Sequence, residues 1–126
     1  MPLHIRYESN PFGVVVTCTG VITGEEIIKA NVEVSKCKKC VYQLMGFTEA
    51  KTINISLEEM HKIAIQDSTI NEYYNLKKIA LVGNMHSLKQ VFELYELFSG
   101  KWVGRRKLYE TRLFNLVSEA NDWINA

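Results

Sequence analysis

The hydrophobic and polar positions of this chain change period several times, and each change marks an element. Residues 3–7, Leu-His-Ile-Arg-Tyr, alternate apolar and polar as a short strand does, and Asn10-Pro11 supplies a turn. Residues 12–20 are rich in β-branched side chains (Val14, Val15, Val16, Thr17, Thr19), which predicts a second strand hairpinned on the first. Thr23-Gly24-Glu25-Glu26 has the form of a capping box, with hydroxyl and carboxylate satisfying free amides at a helix start. The helix it opens is predicted to run to about Cys37, with Ile27, Ala30 and Val34 on one face. Residues 41–47 are almost continuously apolar, as a strand covered on both sides is. A loop carrying Ile53 and Ile55 then leads to a second capping box, Ser56-Leu57-Glu58-Glu59, and a helix whose apolar positions are Leu57, Met60, Ile63 and Ala64.

Residues 78–83, Lys-Ile-Ala-Leu-Val-Gly, read as the clearest buried strand in the chain. Residues 84–87 offer caps for a helix with a broad apolar face made by Leu88, Val91, Phe92, Tyr95 and Phe98. Leu94 and Leu97 fall away from the centre of that face, and Gly100 suits the position just past the helix end. A short strand near residues 107–109 follows. A last helix from about Thr111 is expected to bury Leu113, Leu116, Val117, Ala120, Trp123 and Ile124. Strands separated by helix-length segments require crossover connections, so the expected class is α/β with a largely parallel sheet. The predicted order is β-β-α-β-α-β-α-β-α.

Size and composition narrow the picture. A chain of 126 residues fits one domain, taken here as 1–126, and is long enough to hold a core without staples. The formal net charge of +1 is too small to drive nucleic-acid binding, so no nucleic-acid partner is expected. No apolar run approaches the roughly 18–20 residues of a membrane span. The first residues show no basic stretch followed by an apolar one, and three cysteines, an odd number, fit a reducing compartment. A cytoplasmic location is the expectation.

The strand ending in Gly20 and the helix that Glu26 enters, the strand end at residues 44–48, Lys-Ile-Ala-Leu-Val-Gly at 78–83 and the closing Glu119-Ala120-Asn121-Asp122-Trp123-Ile124 together resemble the SpoIIAA-like family. That family is a branch of the STAS (sulfate transporter and anti-sigma factor antagonist) fold. The resemblance runs from about residue 12 onward, and order and spacing carry it more than any single motif. It implies a single STAS-like domain, with a mixed sheet of four or five strands and helices packed mainly on one face. It also implies a non-catalytic role, either binding an apolar or lipid-like ligand or regulating a protein partner. Regulators of the family carry a phosphorylatable serine in a pattern close to Asp-Ser-Ser-Gly-Leu. Here the matching stretch is Asn54-Ile55-Ser56-Leu57, so Ser56 is the candidate switch, without the neighbouring serine and glycine.

The remaining chemistry is sparse. No nucleophile elbow, zinc-protease helix, phosphate-binding glycine loop or dinucleotide fingerprint is present, and neither catalysis nor a cofactor is expected. His86 and Ser87, after the strand at 78–83, fit helix capping better than acid-base work. Cys37-Lys38-Lys39-Cys40 is a single CxxC, read first as an incidental pair, with redox chemistry or intermolecular metal binding as the alternatives; a zinc site within the chain needs more ligands than one pair supplies, so no metal is expected. Cys18 is expected in a strand as a small apolar residue. A ligand beneath the helix at 88–98 would meet Leu88, Phe92, Tyr95 and Phe98, with Tyr73 and Tyr74 lining the same space. The plainer reading of so apolar a helix is deep burial or a homodimer contact. Lys101, Arg105, Arg106 and Lys107, interleaved with Trp102 and near Tyr109 and Arg112, form the one concentrated basic segment. Its alternatives are a solvated face and a peripheral membrane or anion contact, where Trp102 and Tyr109 would stack on a base or sit at the surface.

Overall fold

The computed structural model describes residues 3–9, 11–73, 76–98 and 109–126. The elements are β1 (Leu3–Glu8), β2 (Gly13–Thr23), α1 (Gly24–Val34), β3 (Tyr42–Asn54), α2 (Leu57–Tyr73), β4 (Lys78–Val82), α3 (Met85–Leu97), β5 (Glu110–Phe114) and α4 (Val117–Ile124). The predicted order of strands and helices is therefore the observed one. Among the described residues the five strands form one sheet in the order β1-β2-β3-β4-β5. β1 and β2 make the antiparallel hairpin, with Tyr7 opposite Val14, and every later pairing is parallel.

This order explains the layers. Each crossover from β2 to β5 advances one strand in the same direction, and right-handed crossovers of that kind put all their helices on one face. Ile27 and Val34 of α1, Met60 and Ile63 of α2, and Leu88 and Tyr95 of α3 pack with Val14, Val16, Met45, Ile79 and Leu81 in one core. α4 follows β5 and takes the opposite face. There Ala120 and Ile124 pack on Val15, Tyr42, Leu44, Ala80 and Val82. Neighbouring residues of a strand thus feed different cores, as the two-residue period demands.

Several boundaries differ from the sequence reading. β3 does not stop at Phe47; beyond Gly46 it leaves β4 and stays paired with β2 as far as Asn54. Two register shifts, after Thr17–Gly46 and after Gly20–Ala50, each insert one extra β3 residue. These bulges reset the inward positions, so Ala50 and Ile53 pack against the core although the residues between do not alternate cleanly. Gly20 takes φ 70° beside the second bulge, a conformation glycine adopts without steric cost. α1 ends at Val34, short of Cys37. The last strand lies at Glu110–Phe114 instead of 107–109, and α4 begins at Val117 instead of Thr111. Leu113 is accordingly a strand residue, while Leu116 and Val117, expected inside, are 59% and 47% exposed. Leu57 is also exposed, because it lies on the first turn of α2 outside the apolar stripe. Leu94 packs against the core, whereas Leu97 faces out as expected.

Candidate functional site

Three places hold the chemistry of the described residues. The first is the surface at the carboxyl end of β3, where open parallel sheets commonly bind ligands. α2 starts two residues beyond β3, and its capping box is formed: the Ser56 N–H donates to Glu59 Oε1 at 2.9 Å and the Glu59 N–H donates to Ser56 Oγ at 3.1 Å. Ser56 is exposed. The start of α1 is capped in the same way by Thr23 and Glu26. The two helix starts touch, since the Glu59 side chain lies over Gly24 where a β-carbon would not fit. Glu25, Glu26, Glu58 and Glu59 make this corner acidic. Beside it runs an open groove of about 410 Å³ between the β3 extension and the start of α3, lined by Thr48, Ala50, Lys51, Thr52, Asn84 and Leu88. Asn84 caps α3, its Oδ1 accepting from the His86 N–H at 2.8 Å.

The second place lies inside, beneath α3. The Tyr95 hydroxyl donates to Asp67 Oδ2 at 2.6 Å and lies 2.8 Å from the Tyr109 hydroxyl. Tyr95 has one proton to give, so Tyr109 is the donor in the second bond. All three residues are buried. Burial first, then the charge of Asp67, holds the Tyr95 hydroxyl well above its ordinary titration range. An apolar cavity of about 40 Å³ adjoins the cluster, lined by Ile27, Met45, Ile63, Leu81, Asp67 and Tyr95 among others. The third place is the junction of α1 and β3, where Cys37 and Cys40 are joined as a disulfide. This corrects their reading as an incidental pair.

The structure distributes the sequence-predicted residues among these places. Tyr95 lines the cavity, but Leu88 is 1% exposed and serves as core. Phe92 and Phe98 are partly buried against the same core, and the Phe98 ring lies 5.4 Å from the His61 ring. α2 ends at Tyr73, whose side chain lies outside the described residues, as does all of Tyr74. Lys101, Trp102, Arg105, Arg106 and Lys107 also lie outside them. Tyr109, expected beside them as a stacking surface, is instead 4% exposed and hydrogen-bonded to Tyr95, so it is not available to stack. Arg112 lies on the opposite face, its guanidinium 5.2 Å from the Trp123 ring centroid, with Lys78 at the same distance. The sequence reading missed Asp67. Its signal was an acidic residue four positions after Ile63 on the apolar stripe of α2.

Among the described residues no group of three or more His, Cys, Asp or Glu is placed to hold a metal ion. No helix among them is long and apolar enough to cross a membrane. No protein-family model and no curated protein matches the sequence. In structure, the chain is similar to an uncharacterised DUF3478-family protein of SpoIIAA-like fold from Shewanella loihica PV-4. The two are 17% identical, with a TM-score of 0.56 over 96% of this chain and 90% of that one. It is also similar to the anti-sigma factor antagonist SpoIIAA in its unphosphorylated form, at 10% identity and a TM-score of 0.63 over 98% of both chains. The fold of this chain is the SpoIIAA-like fold.

Proposed function

We propose that residues 1–126 act as one non-catalytic regulatory domain that binds a protein partner at the surface around Ser56, as an anti-sigma factor antagonist does. The observation that carries this reading is the exposed Ser56 at the start of α2, within a fold shared with such an antagonist over 98% of both chains. The small cavity beneath α3 favours it over a lipid carrier. A cavity of about 40 Å³ has room for about three waters by the same measure, far less than a ligand pocket of several hundred Å³. A carrier would need α3, carrying Tyr95, to move away from Asp67.

Phosphorylation of Ser56 would suit a switch. It would put a dianion on free helix amides and displace the Glu59 carboxylate, adding charge to a corner that already holds Glu58. The test is calorimetric titration of the chain against anti-sigma factors encoded in the same genome. We expect one of them to bind, Ser56→Ala to bind as well as wild type, and Ser56→Asp to bind at least about tenfold more weakly, about 1.4 kcal/mol. Equal affinity of all three forms, or no binding, overturns the reading. Lipid found by native mass spectrometry in protein from its own host would move the site beneath α3.

A further inference from the structure

The disulfide at the α1–β3 junction differs from a structural staple in three respects. It closes a loop with a sequence separation of only 3, so it removes little freedom from the unfolded chain. Backbone hydrogen bonds hold both ends of the loop without it. The Cys37 N–H donates to Val34 O at 3.0 Å, the Val41 N–H to Phe12 O at 2.9 Å, and the Lys77 N–H to Val41 O at 2.8 Å. Opening the bond therefore leaves the two cysteines where they were, with Cα atoms 5.8 Å apart, within the range a disulfide spans. The two sulfurs are also unequal: Cys40 is 4% exposed in the core, whereas Cys37 is half-buried and followed by the exposed Lys38 and Lys39.

We infer that Cys37-Lys38-Lys39-Cys40 is a thiol–disulfide exchange site for an anionic low-molecular-weight thiol of the glutathione class. Lys38 and Lys39 attract the carboxylates of such a thiol and favour thiolate, while the C-terminal end of α1 disfavours it. In reduction, an external thiolate attacks Cys37 Sγ, the S–S bond breaks, and Cys40 leaves as the thiolate and takes a proton. A second external thiolate then attacks the sulfur of the first. It releases the external disulfide and Cys37 thiolate, which is protonated in turn. Two electrons pass from two external thiols to the protein, and oxidation is the reverse. The third cysteine does not compete. Cys18 is 0% exposed, and its thiol is pushed up to about 12 by burial and then by Glu26.

The test equilibrates the full chain in mixtures of reduced and oxidised glutathione, quenches with acid, alkylates free thiols and weighs the products. We expect one reversible transition in which both thiols of the pair are labelled together, with Cys18 labelled only after denaturation. In Cys40→Ser, Cys37 should gain a glutathione adduct at least about tenfold faster than Cys40 does in Cys37→Ser. A pair that stays oxidised, or stays reduced, across the whole range overturns the inference, and so do equal adduct rates. The wild-type titration needs no variant, and Cys40→Ala replaces Cys40→Ser if the latter does not fold.

Discussion

The sheet face under α1, α2 and α3 and the face under α4 are made from alternate residues of the same strands, yet they carry different chemistry. The three-helix face holds the larger core and also a buried polar cluster, Asp67 with Tyr95 and Tyr109. The α4 face is thinner: Ala120 and Ile124 cover Leu44, Ala80 and Val82, and half-buried Phe114 and Trp123 close its edge, their rings 5.6 Å apart. Its polar groups lie at the rim, where Lys78 Nζ donates to the Trp123 carbonyl at 2.7 Å. The lesson is that three helices packed side by side cover one another's flanks, whereas a single helix on its face has no described helix beside it. The first can enclose a carboxylate; the second borders water.

The largest expected effect tests that contrast in the cores. Leu88→Ala removes a side chain that is 1% exposed and should cost about 3–4 kcal/mol. Ile124→Ala, at 9% exposure on the last turn of α4, can relax and should cost about 2 kcal/mol. Urea unfolding of both variants is the measurement, and equal losses would break the comparison.

The next effect concerns the buried cluster. Tyr95→Phe takes a hydrogen-bond donor from the buried Asp67 and should cost about 1–3 kcal/mol at neutral pH. It should also change the alkaline limb of stability. Tyr95 titrates higher in the folded protein than its ordinary value of 10.0. Its contribution is complete below that value and is lost as pH rises above it, because only the unfolded tyrosine ionises readily. Cys18 adds a loss of the same sign between 9.0 and about 12. On the α4 face, Tyr42, whose hydroxyl donates to Glu8 at 3.0 Å, is pushed up to about 12 by burial and then by Glu8. Unfolding free energies measured at about pH 7 and about pH 11 should therefore fall for wild type. They should fall less for Tyr95→Phe, with a smaller change for Tyr42→Phe; the reverse ranking would place the costlier polar burial on the α4 face.

The same contrast explains what was legible in the sequence. Long periodic stripes such as Ile27, Ala30 and Val34, and the unbroken run at 78–83, announce elements buried by crossovers, and both elements were found, although α1 ends at Val34, short of Cys37. The β3 extension was missed because its two bulges break the period that identifies a strand. β5 and α4 were shifted because Leu113, Leu116 and Val117 mimic one helical stripe across a strand, a bend and a helix start. The site was half legible. Ser56 announced itself through Glu59 three residues on, but the Asp67–Tyr95–Tyr109 cluster joins α2, α3 and the connection before β5, which spacing alone cannot reveal.

The smallest effects lie at the helix starts and separate stability from binding. α2 has a side-chain cap from Ser56, and its loss in Ser56→Ala should cost about 0.5–1 kcal/mol, since the freed Glu59 amide is open to water. α4 is entered by Leu116, 59% exposed and making no side-chain cap bond. Leu116→Ser should accordingly stabilise by about 0.5–1 kcal/mol, a gain that an already capped α2 cannot offer. Ser56→Asp keeps an acceptor at the cap and should leave the thermal midpoint close to wild type. If it nevertheless weakens partner binding, the loss belongs to the charge at the surface and not to a frayed α2. If the midpoint falls with the affinity, Ser56 is a structural cap and the partner surface must be sought elsewhere on the sheet end.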